Sequence, residues 1–542
     1  MSPQVLVVGA GTAGLTLALA LKKSDIDVRI IDKVSLPMVG QRGSGIMPRT
    51  LELHGLLGTL PDILQQGNEF RVLKLYQPPS TEPHKVLGFA ERRAVTPSVP
   101  YPNAVGLWQQ YHEGIIRDHL KKHGTDVEYS TELTAFQQFD DHVTATLIKR
   151  SASGEETTET VTVPYLVSTE GAHSVVRKGI PLTFLGETTA QNFIVSDIEV
   201  LGGHEHQDMH MYGTPGQKAV GLMFNGPPDS IDCYMIFIGS DWDTDKLASG
   251  REALIEAFHS FTGRTDVVFG KMMTLSKYTP NIRMVNKFSE GRCFVAGDSA
   301  HVHSPTGGQG LNSGIQDSIN LAWKLASVIK GQSPPSLLDT YTEERIPIIA
   351  AMLNKTRELH YRTVSRNPDD SVWQRGGALT MMGINYRASP IVLDEIHQVD
   401  TGVLPDPYDS GSEINAGDRA PDAPELVDLK GETTSLFKIF GYTHHTALVF
   451  AQDIVAAKPI LEGLKAYGDK VKTVVIVPQG SSLPTGNIQA DYVLEDKAGH
   501  AYHAYIDAEK PCTTVVVRPD SYIGAIVSDD GGIRKYFEKI YL

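Results

Sequence analysis

The sequence predicts a mixed fold, α/β at its amino end and α+β beyond it, on three observations. An apolar run, a glycine turn and an apolar helix follow one another over residues 5–21. A block of alternating residues broken by Gly and Pro signals lies between 193 and 238, as antiparallel strands require. A second set of short β-branched runs, interspersed with two helical stretches, follows Gly417. The chain has 542 residues, 41% hydrophobic and 21% charged, which are globular proportions. At about 150 residues per domain this length makes roughly three to four units.

Charge and cysteine usage exclude several classes. Lys plus Arg number 49 against 64 Asp plus Glu, a formal net charge of −15 that repels phosphate backbones and acidic leaflets. Nucleic acid is therefore not expected as a partner. Cys233, Cys293 and Cys512 lie far apart without CxxC spacing, so neither a disulfide framework nor a sulfur-rich metal site is expected, and a reducing cytoplasm fits best. The apolar run Val5 to Leu21 lacks a basic flank and carries Gly9, Gly11 and Gly14, so it reads as buried strand and helix rather than a signal peptide or membrane span.

The first element is the strand Val5-Leu6-Val7-Val8, followed by Gly9-Ala10-Gly11-Thr12-Ala13-Gly14 and the helix former Leu15 to Leu21. Strand, glycine turn and helix are the setting that gives GxGxxG its meaning. Gly9 permits the turn, Gly11 admits a pyrophosphate to backbone amides, and Gly14 lets helix pack on strand, while the helix N-terminus favours the anion. A second strand, Val28 to Ile31, ends in Asp32, placed to accept ribose hydroxyls. NAD and FAD remain equally open at this point.

A later strand, Arg292 to Ala296, ends in Gly297-Asp298-Ser299-Ala300-His301. Pro305, the flexible Gly307-Gly308-Gln309-Gly310 and a helix from Leu311 to Ala326 follow. Asp298 at a strand end can hold ribityl hydroxyls, and amides at a helix start can face the pyrimidine edge of an isoalloxazine, where charge accumulates on reduction. His301 and His303 lack carboxylate or cysteine partners at ligand spacing, so packing and hydrogen bonding at the turn are expected and no metal.

Gly9 to Gly14 with Asp32, GDSAH at 297–301 running on through PTGGQGLNSGIQD, and EGAHSVVR at 170–177 resemble, in order and spacing, the FAD-dependent aromatic hydroxylases. These are the single-component flavoprotein monooxygenases with the p-hydroxybenzoate hydroxylase fold. The third run departs from the family's Asp-Gly-Ala pattern, with Glu170 for Asp, which leaves nicotinamide-nucleotide contact or local bracing as its expected role. The resemblance implies that Gly9, Gly11, Thr12, Ala13 and Gly14 line the pyrophosphate, Asp32 with Lys33 the adenosine ribose, and Leu133 the adenine by its backbone. It implies Arg42 and Gln109 on the cofactor, Asp298 on its ribityl chain, and Pro305, Gly308, Gln309, Gly310, Leu311 and Asn312 along the isoalloxazine. NADPH or NADH would reduce the flavin, dioxygen would add at C4a, and one oxygen would pass to a phenolic or other electron-rich ring. Oxidative decarboxylation, dearomatisation and Baeyer-Villiger insertion are rival outcomes; a non-catalytic flavin sensor or scaffold and an NAD-dependent dehydrogenase are rivals from other classes.

The same resemblance divides the chain into a Rossmann-like FAD-binding domain at 1–180 and 280–400, an antiparallel substrate domain at 181–279, and a thioredoxin-like domain at 411–542 lacking CxxC, with packing or a homodimer interface as its role. Strands are expected at Phe193–Leu201, Gln207–Tyr212, Ala219–Phe224 and Ile231–Ile238, then at 446–450, 473–477, 513–518 and 522–527. A long helix is expected over Leu337–Tyr361, and two more near 454–467 and 531–540. Period-two parity puts His210 and Tyr212 on one face, and Cys233, Met235 and Phe237 opposite Tyr234, Ile236 and Ile238. Tyr212 and His210 are the polar candidates to orient or deprotonate a phenol, and parity leaves open which face is the pocket.

Overall fold

A computed structural model describes residues 3–69, 72–88, 92–189, 191–365, 368–373, 376–397, 406–452, 454–481, 489–506 and 512–542. Residues 401–405, between the expected FAD-binding and tail domains, lie outside the described residues.

Val5–Val8 pairs in parallel with Val28–Ile31 on one side and Tyr165–Ser168 on the other, and Cys293–Val295 continues the sheet beyond the latter. All four residues of the first strand are buried, as both faces of a helix-covered parallel sheet must be. The helices Thr12–Lys23 and Gly310–Ile329 pack against this sheet and share its core. Gly9, Asp32 and Gly297 therefore emerge at the carboxyl ends of three parallel strands of one sheet, where open α/β sheets bind ligands.

A seven-stranded sheet lies beyond this layer, in the order Val268–Tyr278, Phe193–Gly202, Asp232–Ile238, Lys218–Met223, Met209–Thr214, Val72–Tyr76 and Pro83–Gly88. The four strands expected between 193 and 238 are all present. The last two strands come from earlier in the chain, outside 181–279, and Val72–Tyr76 joins in parallel through Tyr76 opposite Tyr212. One face is covered by the helix Arg251–Thr262, whose Leu254 and Phe258 pack on Cys233, Met235 and Phe237.

The tail forms an eight-stranded mixed sheet. His445–Ala451 runs parallel to Val471–Pro478 and antiparallel to Cys512–Val517, which in turn pairs with Ile523–Val527. Helices span Ile454–Leu464 and Asp530–Phe537, close to expectation. Leu393–Asp394, upstream of residue 410, adds an edge strand beside Ala525 and Ile526. The long helix runs Asp339–Thr363 and places Glu344 beneath the tail, where Arg518 donates to both its oxygens at 2.7 and 2.9 Å.

Candidate functional site

Two glycines of the first turn are demanded by the fold and one is not. A Cβ on Gly9, whose φ is +104°, would stand 2.4 Å from the Thr169 carbonyl oxygen, and one on Gly14 would stand 2.0 Å from that of Gly9. At Gly11 the nearest atom is Glu113 Oε1 at 3.9 Å, so its bareness leaves an open cradle. Gly11 caps the helix with no side chain on the first amides, which remain available to an anion. Asp32 is pinned at the crevice edge, accepting from Ala10 N at 2.7 Å and Val34 N at 3.1 Å.

The second motif abuts the first. Gly297, at φ +58°, brings its backbone so near the helix start that a Cβ there would lie 3.2 Å from Ala13 Cβ. Its amide donates to Asp317 Oδ2 at 3.0 Å, and His301 Nε2 lies 2.7 Å from the same oxygen. Arg345 Nε donates to Oδ1 at 2.7 Å, and Arg345 Nη1 reaches Tyr386 Oη at 3.0 Å. Burial raises the Asp317 carboxyl, but Arg345 and His301 outweigh it and hold the group below its ordinary value. His301 is thus a bonded member of the turn, as expected, while Asp298 stands exposed at its tip.

Three further side chains gather the remaining candidates. Asn312 accepts from Met47 N at 2.9 Å and donates to the carbonyls of Gly45 and Gly308 at 2.8 and 2.9 Å, tying the 40–47 loop to the 305–310 loop. Gln109 Oε1 accepts from Arg42 N at 3.2 Å, and its Nε2 donates to Glu113 at 2.8 Å. The side chain of Gln309, buried, donates to the carbonyls of Gly307 and Leu379 at 2.9 and 3.1 Å. Leu311 borders the approach to Gly43, where an added Cβ would lie 3.5 Å from it. Pro305, Gly308 and Lys33 are exposed. Leu133, in the strand Thr131–Gln138, turns its side chain into a core with Leu6, Val8 and Ile31.

The 170–177 run braces the second motif from below. Glu170 accepts from Ser168 and Ser174 hydroxyls at 2.8 Å each and from the amides of Val175 and Val176 at 3.2 Å, at the start of the helix Val175–Gly179, which Ser174 caps. Arg177 donates to the Ser299 carbonyl at 3.1 Å, and Gly171 N donates to Ser299 Oγ at 3.0 Å. Of its two expected roles, Glu170 takes up local bracing in this structure.

The structure resolves the sheet's parity. Asp197 Oδ2 accepts from Gln41 N at 3.2 Å and Thr274 Oγ1 at 2.6 Å, and Asn225 Nδ2 donates to Ser44 Oγ at 2.9 Å. Asp197 pairs across strands with Tyr234, and Val195 with Ile236, so this face opposes the 40–45 loop. Its apolar members include Phe193, Met209, Met211 and Ile236. Burial raises the Asp197 carboxyl, with Thr274 and Gln41 partly offsetting it. It also pushes the Tyr278 phenol up to about 12, Asp298 adding to the shift. His210 and Tyr212 lie on the other face: the Tyr212 ring packs on Phe258 and its hydroxyl lies 2.9 Å from His204 Nε2, while His210 Nδ1 lies 3.0 Å from Tyr76 Oη. Burial lowers the His210 imidazole to about 4. The structure does not bring these two to the crevice, because odd and even strand positions face opposite ways and theirs is the helix-covered side.

Asp317, Asp197 and Glu113 are site-building residues that motif reading passed over. Each had a signal: Glu113 shares a helix face with Gln109 at i+4, Asp197 interrupts an apolar strand, and Asp317 closes the PTGGQGLNSGIQD run. Among the described residues no group of three or more His, Cys, Asp or Glu could hold a metal ion, and no helix is long and apolar enough to cross a membrane.

A family profile described as the FAD binding domain matches residues 2–356. The chain belongs to that family. It is a flavin-dependent monooxygenase of the aromatic hydroxylase type, with FAD as cofactor. It is 32% identical to a flavin-dependent monooxygenase of Mycobacteroides abscessus, over 99% of both chains. It is 26% identical to pentachlorophenol 4-monooxygenase of Sphingobium chlorophenolicum, over 97% of this chain and 94% of the other. The fold matches the crystal structure of the flavin-dependent monooxygenase PieE in complex with FAD and substrate, at TM-score 0.82 and 20% identity, covering 99% of this chain and 98% of that one. The mixed α/β architecture with several sheets is that of FAD-dependent hydroxylases. The open cradle at Gly11, the uncapped helix amides and the pinned Asp32 suit the dinucleotide that this monooxygenase carries.

Proposed function

We propose that this monooxygenase hydroxylates a phenolic or other electron-rich aromatic ring, taking electrons from NADPH or NADH and oxygen from O2. One observation carries the reading: the glycine turn, the 297–298 turn and the 305–312 loop converge on one crevice, and an apolar sheet face with a few polar groups opposes the 40–45 loop beside it. A phenol-directed relative, pentachlorophenol 4-monooxygenase, spans nearly the whole chain and supports the substrate class.

Gly11, Thr12, Ala13 and Gly14 would hold the pyrophosphate on their amides, Asp32 the adenosine ribose, and Asp298 the ribityl hydroxyls. Arg42 and Gln109 would reach the cofactor from the loop and helix facing the turn. The amides of Gly308 to Asn312 would meet the pyrimidine edge. When bound, FAD supplies the redox chemistry that brings nicotinamide electrons to dioxygen and one oxygen atom to the substrate. The chain's own work is to orient the ring and keep water out, which Phe193, Met209, Met211 and Ile236 do by presenting an apolar wall. Tyr234 and Asp197, on that same face, would meet a phenolic hydroxyl. The tail sheet, parallel and antiparallel strands with flanking helices, supports a thioredoxin-like packing module without redox chemistry.

Turnover under labelled dioxygen, with a panel of mono- and polycyclic phenols, tests this. One labelled oxygen on an intact ring is the expected product. Carbon dioxide release or a lactone would assign decarboxylation or ring insertion instead, and NAD(P)H oxidation unstimulated by any substrate would overturn the hydroxylase reading.

A further inference from the structure

Behind the glycine turn lies a carboxyl group that the proposed cofactor contacts do not use. Glu113, in the first turns of the helix Gln109–Lys122, is 2% exposed. Its Oε1 accepts from Thr12 Oγ1 at 3.0 Å and from Gln109 Nε2 at 2.8 Å. Both donors belong to residues assigned to the cofactor, Thr12 to its pyrophosphate. An ionised carboxylate here would sit behind the very amides that receive a doubly charged pyrophosphate.

The surroundings neutralise it only in part. On its own helix, Arg117 Nη1 lies 3.8 Å from Oε2 and is partly exposed. From the strand side comes Tyr129, whose phenol burial raises and which feels both Glu113 and Asp32. Asp32 lies across the turn on Ala10 N, and Arg42 meets Gln109 only through its backbone amide. The adjacent His112, lowered to about 3 by burial, carries no charge to offer. Burial already raises the Glu113 carboxyl, with the bonds from Gln109 and Thr12 and the charge of Arg117 partly offsetting it. A like charge arriving beside a buried acid raises it further.

We propose that Glu113 is a positioning residue of the cofactor site that is protonated in the FAD-bound protein, so that the apoprotein takes up one proton from solvent with each FAD. This rests on the glycine turn being the pyrophosphate site. The neutral carboxyl keeps its place against Thr12 and releases a Gln109 N–H toward the phosphates. The incoming proton offsets one of the two negative charges that the pyrophosphate brings into a buried position.

FAD titrated calorimetrically into apoprotein, in two buffers of different ionisation enthalpy between pH 6 and 9, counts the protons. Flavin fluorescence gives Kd over the same range. Uptake approaching one proton is expected where Kd climbs about tenfold per pH unit, and E113Q, neutral throughout, should show no uptake and a Kd flat within about twofold. Uptake below about 0.2 proton with a flat wild-type Kd overturns the proposal. So does a wild-type slope retained in E113Q. If E113Q does not fold, the wild-type proton count decides alone. Failure of FAD to bind at any pH would instead remove the pyrophosphate site itself.

Discussion

Gly11 and Gly14 stand in one turn but answer to different demands, and substitution separates them. Gly14→Ala forces a methyl to 2.0 Å from the Gly9 carbonyl, so the strand-helix junction must open and the apoprotein should lose several kcal/mol. Gly11→Ala meets nothing nearer than 3.9 Å at an ordinary φ of −74°. Denaturant melts of apo-Gly11→Ala should therefore stay within about 1 kcal/mol of wild type while the FAD Kd rises at least about tenfold. A stable Gly14→Ala that binds FAD normally would refute the geometry. Asp317 is a comparable residue one layer deeper: fully buried, it satisfies Gly297 N, His301 and Arg345 at once. Asp317→Ala leaves a buried guanidinium without its carboxylate and should cost about 3–5 kcal/mol by chemical denaturation.

On the proposed reading the seven-stranded sheet is the element that meets the substrate, and its two faces do different things. Cys233, Met235 and Phe237 are spent on the helix Arg251–Thr262. The alternate positions face the 40–45 loop through the Asp197 and Asn225 bonds. Ile236→Trp should then cut kcat/KM for a phenolic substrate at least about tenfold by filling the pocket wall, with the fold intact by circular dichroism. Tyr212→Phe, on the helix-covered face, should leave kcat/KM within about twofold and cost stability only through the lost bonds to His204 and Arg264. Reversed outcomes for this pair would mean the substrate uses the other face.

At the scale of the molecule, the tail is held by charge buried in the flavoprotein core. Glu344 takes Arg518 on both oxygens and Lys324 at 2.7 Å, all fully buried, while Arg49 donates to the Asp520 and Ser521 carbonyls at 2.9 and 3.2 Å. Arg518→Ala should destabilise by about 3–5 kcal/mol and loosen tail from core, read as new proteolytic cleavage between them. Lys324 gives a signed pH test. Burial pulls its ammonium down to about 8 from an ordinary 10.5, Glu344 only partly resisting, so the unfolded chain holds this proton more tightly. The group therefore opposes folding below pH 8, and its contribution improves as pH rises toward 10.5. Urea midpoints should show wild type gaining on Lys324→Met between pH 8 and 10; a constant difference would contradict this.

Much of this molecule could be read along the chain because its signals are local. A strand, a glycine turn and a helix lie within twenty residues, and backbone sterics at Gly9 and Gly14 dictate that order wherever it occurs. The strands between 193 and 238 and the tail strands are of this kind, and each is present at or near its expected place. What tertiary structure alone decided are relations between distant residues. Parity groups side chains into two faces but carries no sign, so only tertiary bonds, from Gln41 to Asp197 and from Asn225 to Ser44, reveal which face meets the 40–45 loop. Val72–Tyr76 joins a sheet more than a hundred residues downstream, and Glu344 meets Arg518 across 174 positions. Such pairings come from burying surface and charge against partners that a short stretch of sequence does not contain, and they alone set where the chemistry faces.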